Sequence, residues 1–450
     1  MGSDQEKPVS LFSATIIVVA NMIGTGVFTT LGLQVASLQD PFPVLLLWVL
    51  GGLGAFCGAL CYGELGAMWP RSGGEYNYLS QIYHPALGFL SGWVSIVAGF
   101  AAPIALAAIA LGEYAGAIFP GVDKQVVALS AIAILSIIHL EDVKFGCRFQ
   151  NAITVAKILL IITLIFFGLV MATHQHLSLR PSAKDLKSIF SPAFAISLVY
   201  VFYAYSGWNA ASYVAGEIVK PERNLPLSLF LGTSIVSLCY VLLNFIFLYT
   251  VSVSELAGRI EIGYLSAKAI FGPSGGTIMT ILICLALISS LSSLIMVGPR
   301  VPQTMSEDLA PMGILARKTK RGAPAFAIVF QSLVAIMLTL TSTFNWVLTY
   351  VGFTLALFAC LTVLGVFVVR LRHPDKPRPS KTWGYPVTPA VFLLLYGWML
   401  CYLFIERPMP SIWGLVTVTS GLLLYGLLRA LDLRKSQGKI MENLGKGVRK

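Results

Sequence analysis

The sequence predicts an all-α polytopic membrane protein, and three observations carry that prediction. The first is composition: 56% of the 450 residues are apolar and 11% are charged, with a mean hydropathy of +0.80, whereas a soluble domain carries about 25% charge. A water-facing surface cannot be built from so few charges, which excludes a soluble enzyme, a disordered chain and a nucleic-acid-binding module. The second is the run pattern. A helix needs about 20 apolar residues to cross a bilayer, and twelve segments reach or nearly reach that length: 11–35, 43–68, 86–111, 125–140, 149–172, 192–215, 228–251, 276–301, 324–341, 344–369, 386–404 and 411–431. The third is the placing of Lys and Arg. With the N-terminus inside, the segments on that side hold 23 of the 31 basic residues and the opposite segments hold 7. This is the positive-inside signature; it puts both termini in the cytoplasm and favours an even number of spans. The net charge of +11 is therefore read as topology, not as a nucleic-acid partner.

Taken in order, Met1–Ser10 is a polar cytoplasmic segment, and the first apolar run ends without a small-residue cleavage site, so the first helix is expected to be retained. Residues 11–172 hold helices 1 to 5, residues 190–370 helices 6 to 10, and residues 384–431 the last two. The basic tail 432–450 is read as an anchor at anionic lipid. The fourth and ninth runs are the shortest. The stretch Pro70–Pro85 mixes Gly, charge and Tyr and is expected to lie at the interface with aromatic anchors. Cys57, Cys61, Cys239, Cys284, Cys360 and Cys401 fall inside apolar runs, as small core residues do, and not in a disulfide framework.

Two interruptions carry the functional signal. Gly24, Thr25 and Gly26 sit inside the first run, and Ser206 and Gly207 break the sixth near its middle. Close helix packing favours small residues four apart, a spacing Gly-x-Gly does not have. The breaks are five helices apart, as expected of secondary transporters built from two inverted five-helix repeats that bind substrate at mid-membrane. Breaking a helix exposes N–H groups on one half and carbonyls on the other, and hydrocarbon tolerates this only where ligand, water or protein satisfies them. A zwitterion satisfies both signs.

The strings GTGVF, YGELGAMWPRSGGEYNYL, FYAYSGW and GEIVKPERNLP resemble the amino acid–polyamine–organocation superfamily. AYSGWN followed by Pro-Glu-Arg-Asn-Leu-Pro is most similar to the L-type amino acid transporters and their bacterial homologues. The similarity covers most of helices 1 to 10. It implies the leucine-transporter-like 5+5 fold with broken helices 1 and 6 plus two C-terminal helices, alternating access, and recognition of the α-carboxylate and α-amino groups. Residue by residue, it implies substrate contact at Met22 and carboxylate binding at Gly24, Thr25 and Gly26, helped by the dipole of the half-helix starting near Val27. A Cβ at Gly26 is then expected to obstruct the substrate. The ammonium is implied to meet carbonyls around Phe202, Tyr203, Ala204 and Tyr205, with Ser206 and Gly207 completing the site. Tyr203 is the implied outer gate. Ser206 stands where L-type members carry glycine, which leaves the pocket size open. Without the motif, Tyr203 and Tyr205 also read as buried aromatics with satisfied hydroxyls.

Charge at membrane depth is the other signal. Glu64, Arg300 and Arg429 lie near inner helix ends and are read as structural, snorkelling groups. Lys157 lies too deep for that. By the resemblance it matches the helix 5 lysine that replaces a sodium ion, with neighbours at Gly24 and among Ser289, Ser290, Ser292 and Ser293. Burial disfavours its charge and nearby acceptors favour it, so a fixed and a titrating ammonium both stay open. His139, His174 and His176 show no metal-ligand spacing, and no cofactor, metal or catalytic motif is found.

The expected protein is thus no enzyme but a secondary amino acid transporter in the plasma (inner) membrane. It is expected to be a sodium-independent exchanger or facilitator of neutral L-amino acids, because no acidic residue lies near the middle of helices 1, 3, 6, 8 or 10. Proton-coupled symport is the alternative within the class; an amine or polyamine transporter, a channel and an intramembrane hydrolase are the others. Its partners are the amino acid and the bilayer. L-type members bound to a single-span glycoprotein use a cysteine between helices 3 and 4; the loop GEYAGAIFPGVDK has none, so no disulfide-linked heavy chain is expected.

Overall fold

The computed structural model describes residues 9–447 apart from 142, 172–174, 176, 178, 318 and 320–323. Small polar residues and prolines set the helix starts. Ser10 caps α1 (Leu11–Met22), its hydroxyl accepting from the Ser13 amide at 3.2 Å. After a break come α2 (Gly26–Thr29) and α3 (Leu31–Leu38). Proline occupies the first turn of α4 (Pro41–Met68), where a missing N–H costs nothing. The short α5 (Glu75–Ile82) leads into α6 (Pro85–Ile118), which contains a π-turn over Ser95–Phe100. Next are α7 (Lys124–Glu141), α8 (Val143–Met171), α9 (Ala183–Ile189) and α10 (Pro192–Tyr205), the last capped by Ser191. A 3₁₀ run, Ala210–Glu217, joins α10 to α11 (Pro221–Thr250). Then follow α12 (Ile262–Val297), α13 (Arg300–Asp308), α14 (Ala325–Thr341), α15 (Phe344–Arg372), α16 (Val387–Glu406) and α17 (Pro408–Gly447).

Among the described residues, eight helices are long and apolar enough to cross a membrane, and α9 with the segment Pro192–Glu217, bent by 65°, makes a ninth candidate. Lys124–Leu140, Val155–Met171 and Ala325–Thr341 are shorter apolar helices. Large apolar side chains such as Leu159, Phe166, Leu238, Leu333 and Leu423 are exposed. Water tolerates no such belt, whereas hydrocarbon does; the chain is a multi-pass, all-helical membrane protein. Among the described residues the one strand-like pairing is the isolated bridge between Val9 and Ile218.

The helices interrupted in sequence lie inside the bundle. The α1 helix packs on α11, and α10 packs between α4, α15 and α16. Within α12 the helix is interrupted at Gly272, with φ of +75° ahead of Pro273, and a first helical segment begins at Ile262, fourteen residues before the apolar run expected from sequence. Two further expectations are corrected. The stretch Pro70–Pro85 does not lie flat at an interface: Gly73–Leu79 is buried, with Tyr76 and Tyr78 turned into the bundle. Nor does Glu64 snorkel. Its carboxylate is 1% exposed and accepts from Arg370 Nε at 3.0 Å, Arg370 Nη2 at 2.6 Å and the Thr382 amide at 2.7 Å. Paired charges can stay buried where lone ones cannot, so Glu64 ties α4 to α15.

Candidate functional site

The α1 helix stops at Met22 because Ile23 turns to ψ of 78°, and α2 restarts at Gly26. This leaves the carbonyls at the end of α1 to find partners outside the helix. The Tyr240 hydroxyl of α11 donates to the Met22 carbonyl. Lys157 of α8, 2% exposed, donates to the Ile23 carbonyl at 3.3 Å and to Ser290 Oγ of α12 at 2.8 Å. The expected meeting of Lys157, the first break and the serines is therefore present, through Ile23 instead of Gly24. Of the other serines, Ser293 lines the cavity described below, Ser292 pairs with His139 Nε2 at 2.8 Å, and Ser289 is fully buried. Tyr240 had no signal of its own in the sequence.

The second break follows the same logic. After Tyr205 the chain leaves the helix at Ser206, with ψ of 151°, and Gly207 has φ of +96°. A Cβ at Gly207 would stand 2.8 Å from the Asn21 backbone. Glycine is thus required twice, for the left-handed backbone and for the approach of the two broken segments. The Tyr203 carbonyl accepts from the Ser206 amide at 2.9 Å, and the Tyr203 hydroxyl meets Thr25 Oγ1 at 3.1 Å. Phe202 stacks on Tyr396 of α16 at 3.9 Å. The Tyr205 ring turns the other way, its hydroxyl donating to the Trp48 carbonyl at 2.9 Å.

A cavity of about 390 Å³ lies between the breaks, within the usual range for small-ligand pockets. Met22, Gly24, Thr25, Gly26, Phe202, Tyr203, Ala204, Ser206 and Gly207 all border it; Tyr205 does not. The two glycines of the first break differ. A Cβ at Gly24 meets nothing nearer than the Met22 carbonyl at 3.9 Å, whereas one at Gly26 would come within 2.4 Å of Ala204 Cα. Gly26 therefore serves the close contact of α2 with α10, whereas a Cβ at Gly24 has room.

The cavity runs from the breaks toward the face of the bundle that carries the N-terminal segment. On that face Val9 pairs with Glu217 and Val219 through backbone bonds of 3.2 and 2.9 Å, and the Gly74 amide donates to the Ser212 carbonyl at 3.3 Å. Arg71 of the same loop bridges to Glu307 at 3.1 Å and Asp308 at 3.0 Å on α13. Asn21, exposed in the middle of the bundle, and Arg300, exposed at the rim, both line the path. Glu75, 6% exposed, borders it as well. It accepts from Tyr62 at 2.6 Å, Asn209 at 3.2 Å and Tyr213 at 3.4 Å, and no base pairs with it among the described residues. Burial pushes its carboxyl above the ordinary range, against the three donors that favour the ionised form. Sequence reading passed over Glu75 because its polar, glycine-rich surroundings look like a surface loop.

Beyond the breaks the opposite end is closed. The Tyr114 hydroxyl donates to the Phe28 carbonyl at 2.6 Å and accepts from the Gly263 amide at 3.0 Å. The Gly258 amide donates to the Gly32 carbonyl at 2.8 Å, joining α3 to the turn before α12. The result is a half-open cleft between two interrupted helices, closed at one end and open toward the face that carries Val9.

Comparison with known proteins agrees with this geometry. A family model described as amino acid permease matches residues 9–428. The b(0,+)-type amino acid transporter 1 of Mus musculus is 27% identical over 432 residues, covering 94% of this chain and 88% of that protein. The large neutral amino acids transporter small subunit 2 of Homo sapiens is also 27% identical over 432 residues, covering 94% of this chain and 80% of its own. A match along nearly the whole length, on a bundle with this pair of breaks, leaves one assignment: the chain belongs to the amino acid permease family of transporters.

Proposed function

We propose that the protein is a sodium-independent secondary transporter of neutral L-amino acids, working by exchange or facilitated flux with alternating access. The observation that carries this reading is that the two interrupted helices face one cavity while Lys157 occupies the end of α1. In it, the three shorter apolar helices complete twelve spans of the leucine-transporter-like 5+5 arrangement. The positive-inside bias makes the N-terminal face cytoplasmic, so the cleft is inward-facing, in the plasma (inner) membrane. The substrate carboxylate meets the open backbone at Gly24 and the first N–H groups of α2, where a helix N-terminus favours an anion. Carbonyls of Phe202 and Ala204, left without helical donors by the second break, take the ammonium; the Tyr203 carbonyl already serves Ser206. Tyr203, through Thr25, is the outer gate.

Lys157 acts as a fixed positive charge in this scheme. It holds the end of α1 to α8 and α12, so no sodium ion has to bind there. Neutral substrates are favoured because the walls at the breaks carry no acid; Glu75 lies further along the path. The names of the relatives, a b(0,+)-type and a large neutral amino acids transporter, support the amino acid class. The second relative is a small subunit by name, yet the loop Gly112–Lys124 holds no cysteine, so we read this chain as working without a disulfide-linked partner.

The test is counterflow in liposomes holding only the purified chain, with labelled leucine outside and unlabelled leucine inside, under sodium or proton gradients. Uptake that needs internal amino acid and ignores both gradients is expected. Strong sodium stimulation would end the Lys157 scheme, accumulation driven by external acid would favour proton symport, and flux only after a disulfide-linked partner is added would refute the lone chain.

A further inference from the structure

A second cavity, of about 370 Å³, lies away from the transport cleft and has a composition of its own. It sits between α4, the first turns of α11 and the loop ahead of α16, and its walls include Leu60, Arg223, Phe230, Ser380, Lys381 and Trp383. Arg223 and Lys381 are exposed, and neither side chain has a hydrogen bond or ion pair among the described residues. Glu222 is also on the wall, which leaves the site with one net positive charge. Trp383 is 61% exposed, the placing of an amphipathic ring at headgroup level.

An apolar track leads from this cavity into the membrane. Trp383 packs on Phe230 at 5.3 Å, and Phe230 on Phe56 at 5.3 Å. Above Leu60, α4 presents Phe56, Leu53 and Val49, spaced 4, 3 and 4 residues apart and so on one helix face. Leu53 is 44% and Val49 49% exposed. Val49 to Leu60 is eleven residues, about 16 Å of helix, or half of a ~30 Å hydrocarbon core. The track therefore has the depth of one leaflet. A water-soluble anion has no use for such a track, and a peptide would have to enter hydrocarbon to follow it.

We propose that this cavity binds an acidic phospholipid of the leaflet on the N-terminal face. Its phosphate sits between Arg223, Lys381 and Ser380, and one acyl chain lies along Phe230, Phe56, Leu53 and Val49. This goes beyond the transport reading and does not depend on it. Each base near an anionic headgroup is worth about fivefold in binding; with Glu222 offsetting one of the two, the net charge gives roughly fivefold preference for acidic over zwitterionic lipid.

The test reconstitutes the full chain and its Trp383→Phe variant in phosphatidylcholine vesicles. A small fraction of the lipid is dibrominated phosphatidylcholine in one set and dibrominated phosphatidylglycerol in the other. Bromine quenches tryptophan on contact, and the difference between the two proteins isolates Trp383. Preferential quenching by the brominated acidic lipid is expected, and the double variant Arg223→Gln, Lys381→Gln is expected to lose the preference. Both side chains are exposed, so the double variant should fold; the wild-type comparison decides the question even if it does not. Equal quenching by the two lipids would overturn the proposal, as would a preference that survives in a folded double variant. Loss of the preference on adding inorganic phosphate at constant ionic strength would also overturn it, by revealing a free-anion site.

Discussion

Adding one methyl group at Gly24 and at Gly26 should have opposite consequences. A Cβ at Gly26 would stand 2.4 Å from Ala204 Cα and 2.7 Å from its Cβ, where ordinary contact begins at 3.4 Å. Two backbones must therefore part by about 1 Å, and overpacking of this kind costs about 1–3 kcal/mol. At Gly24 the nearest atom is 3.9 Å away, so Gly24→Ala should fold as the wild type does. Its methyl would stand where the carboxylate approaches the backbone, and a loss of about 1.4 kcal/mol there is tenfold in affinity. Thermal unfolding of the purified variants and equilibrium binding of labelled leucine separate the two effects. Gly26→Ala is expected to melt at a lower temperature, and Gly24→Ala to melt normally but bind at least tenfold more weakly. A Gly26→Ala protein with wild-type melting would refute the packing argument, and wild-type affinity in Gly24→Ala would refute the carboxylate assignment.

Lys157→Ala removes the donor to the Ile23 carbonyl and Ser290; a charged hydrogen bond is worth about 1.5–3 kcal/mol. Counterflow is expected to fall at least tenfold, and flux at the wild-type rate would remove Lys157 from the mechanism. Because the Glu75 carboxyl is raised above its reference of 4.5, its contribution to stability is full below that pH and is lost as pH rises through the raised value. Melting temperature against pH should carry this downward step in the wild type and lack it in Glu75→Gln; identical profiles would count against a titrating Glu75. Glu64→Gln leaves Arg370 without its carboxylate in a half-buried place, and breaking such a pair costs about 3–5 kcal/mol. A clear drop in melting temperature is expected, and none would show that the pair is solvated.

The breaks were legible in the sequence because Gly-Thr-Gly and Ser-Gly interrupt apolar runs, which local chemistry alone reveals. Lys157 was legible because a lone cation in hydrocarbon demands an explanation. Other groups around the breaks were less so. Tyr240 looks like any aromatic in an apolar helix, and only the packing of α11 on α1 aims its hydroxyl at Met22. Glu64 and Arg370 are 306 positions apart, and no local pattern links them. Gly26 resembled Gly24 in sequence, while the neighbour that separates their roles, Ala204, belongs to another helix. Glu75 was hidden by composition, since polar residues beside glycines read as a loop until the fold buries them.

The one-sidedness of the cleft has a pharmacological corollary. With Tyr114 locking Phe28 to Gly263 at the closed end, a bulky polar inhibitor shaped to this cleft can enter only past Asn21 and Arg300. Membrane orientation then becomes a determinant of potency: such a compound should block vesicles that expose the N-terminal face and spare sealed vesicles of the opposite orientation.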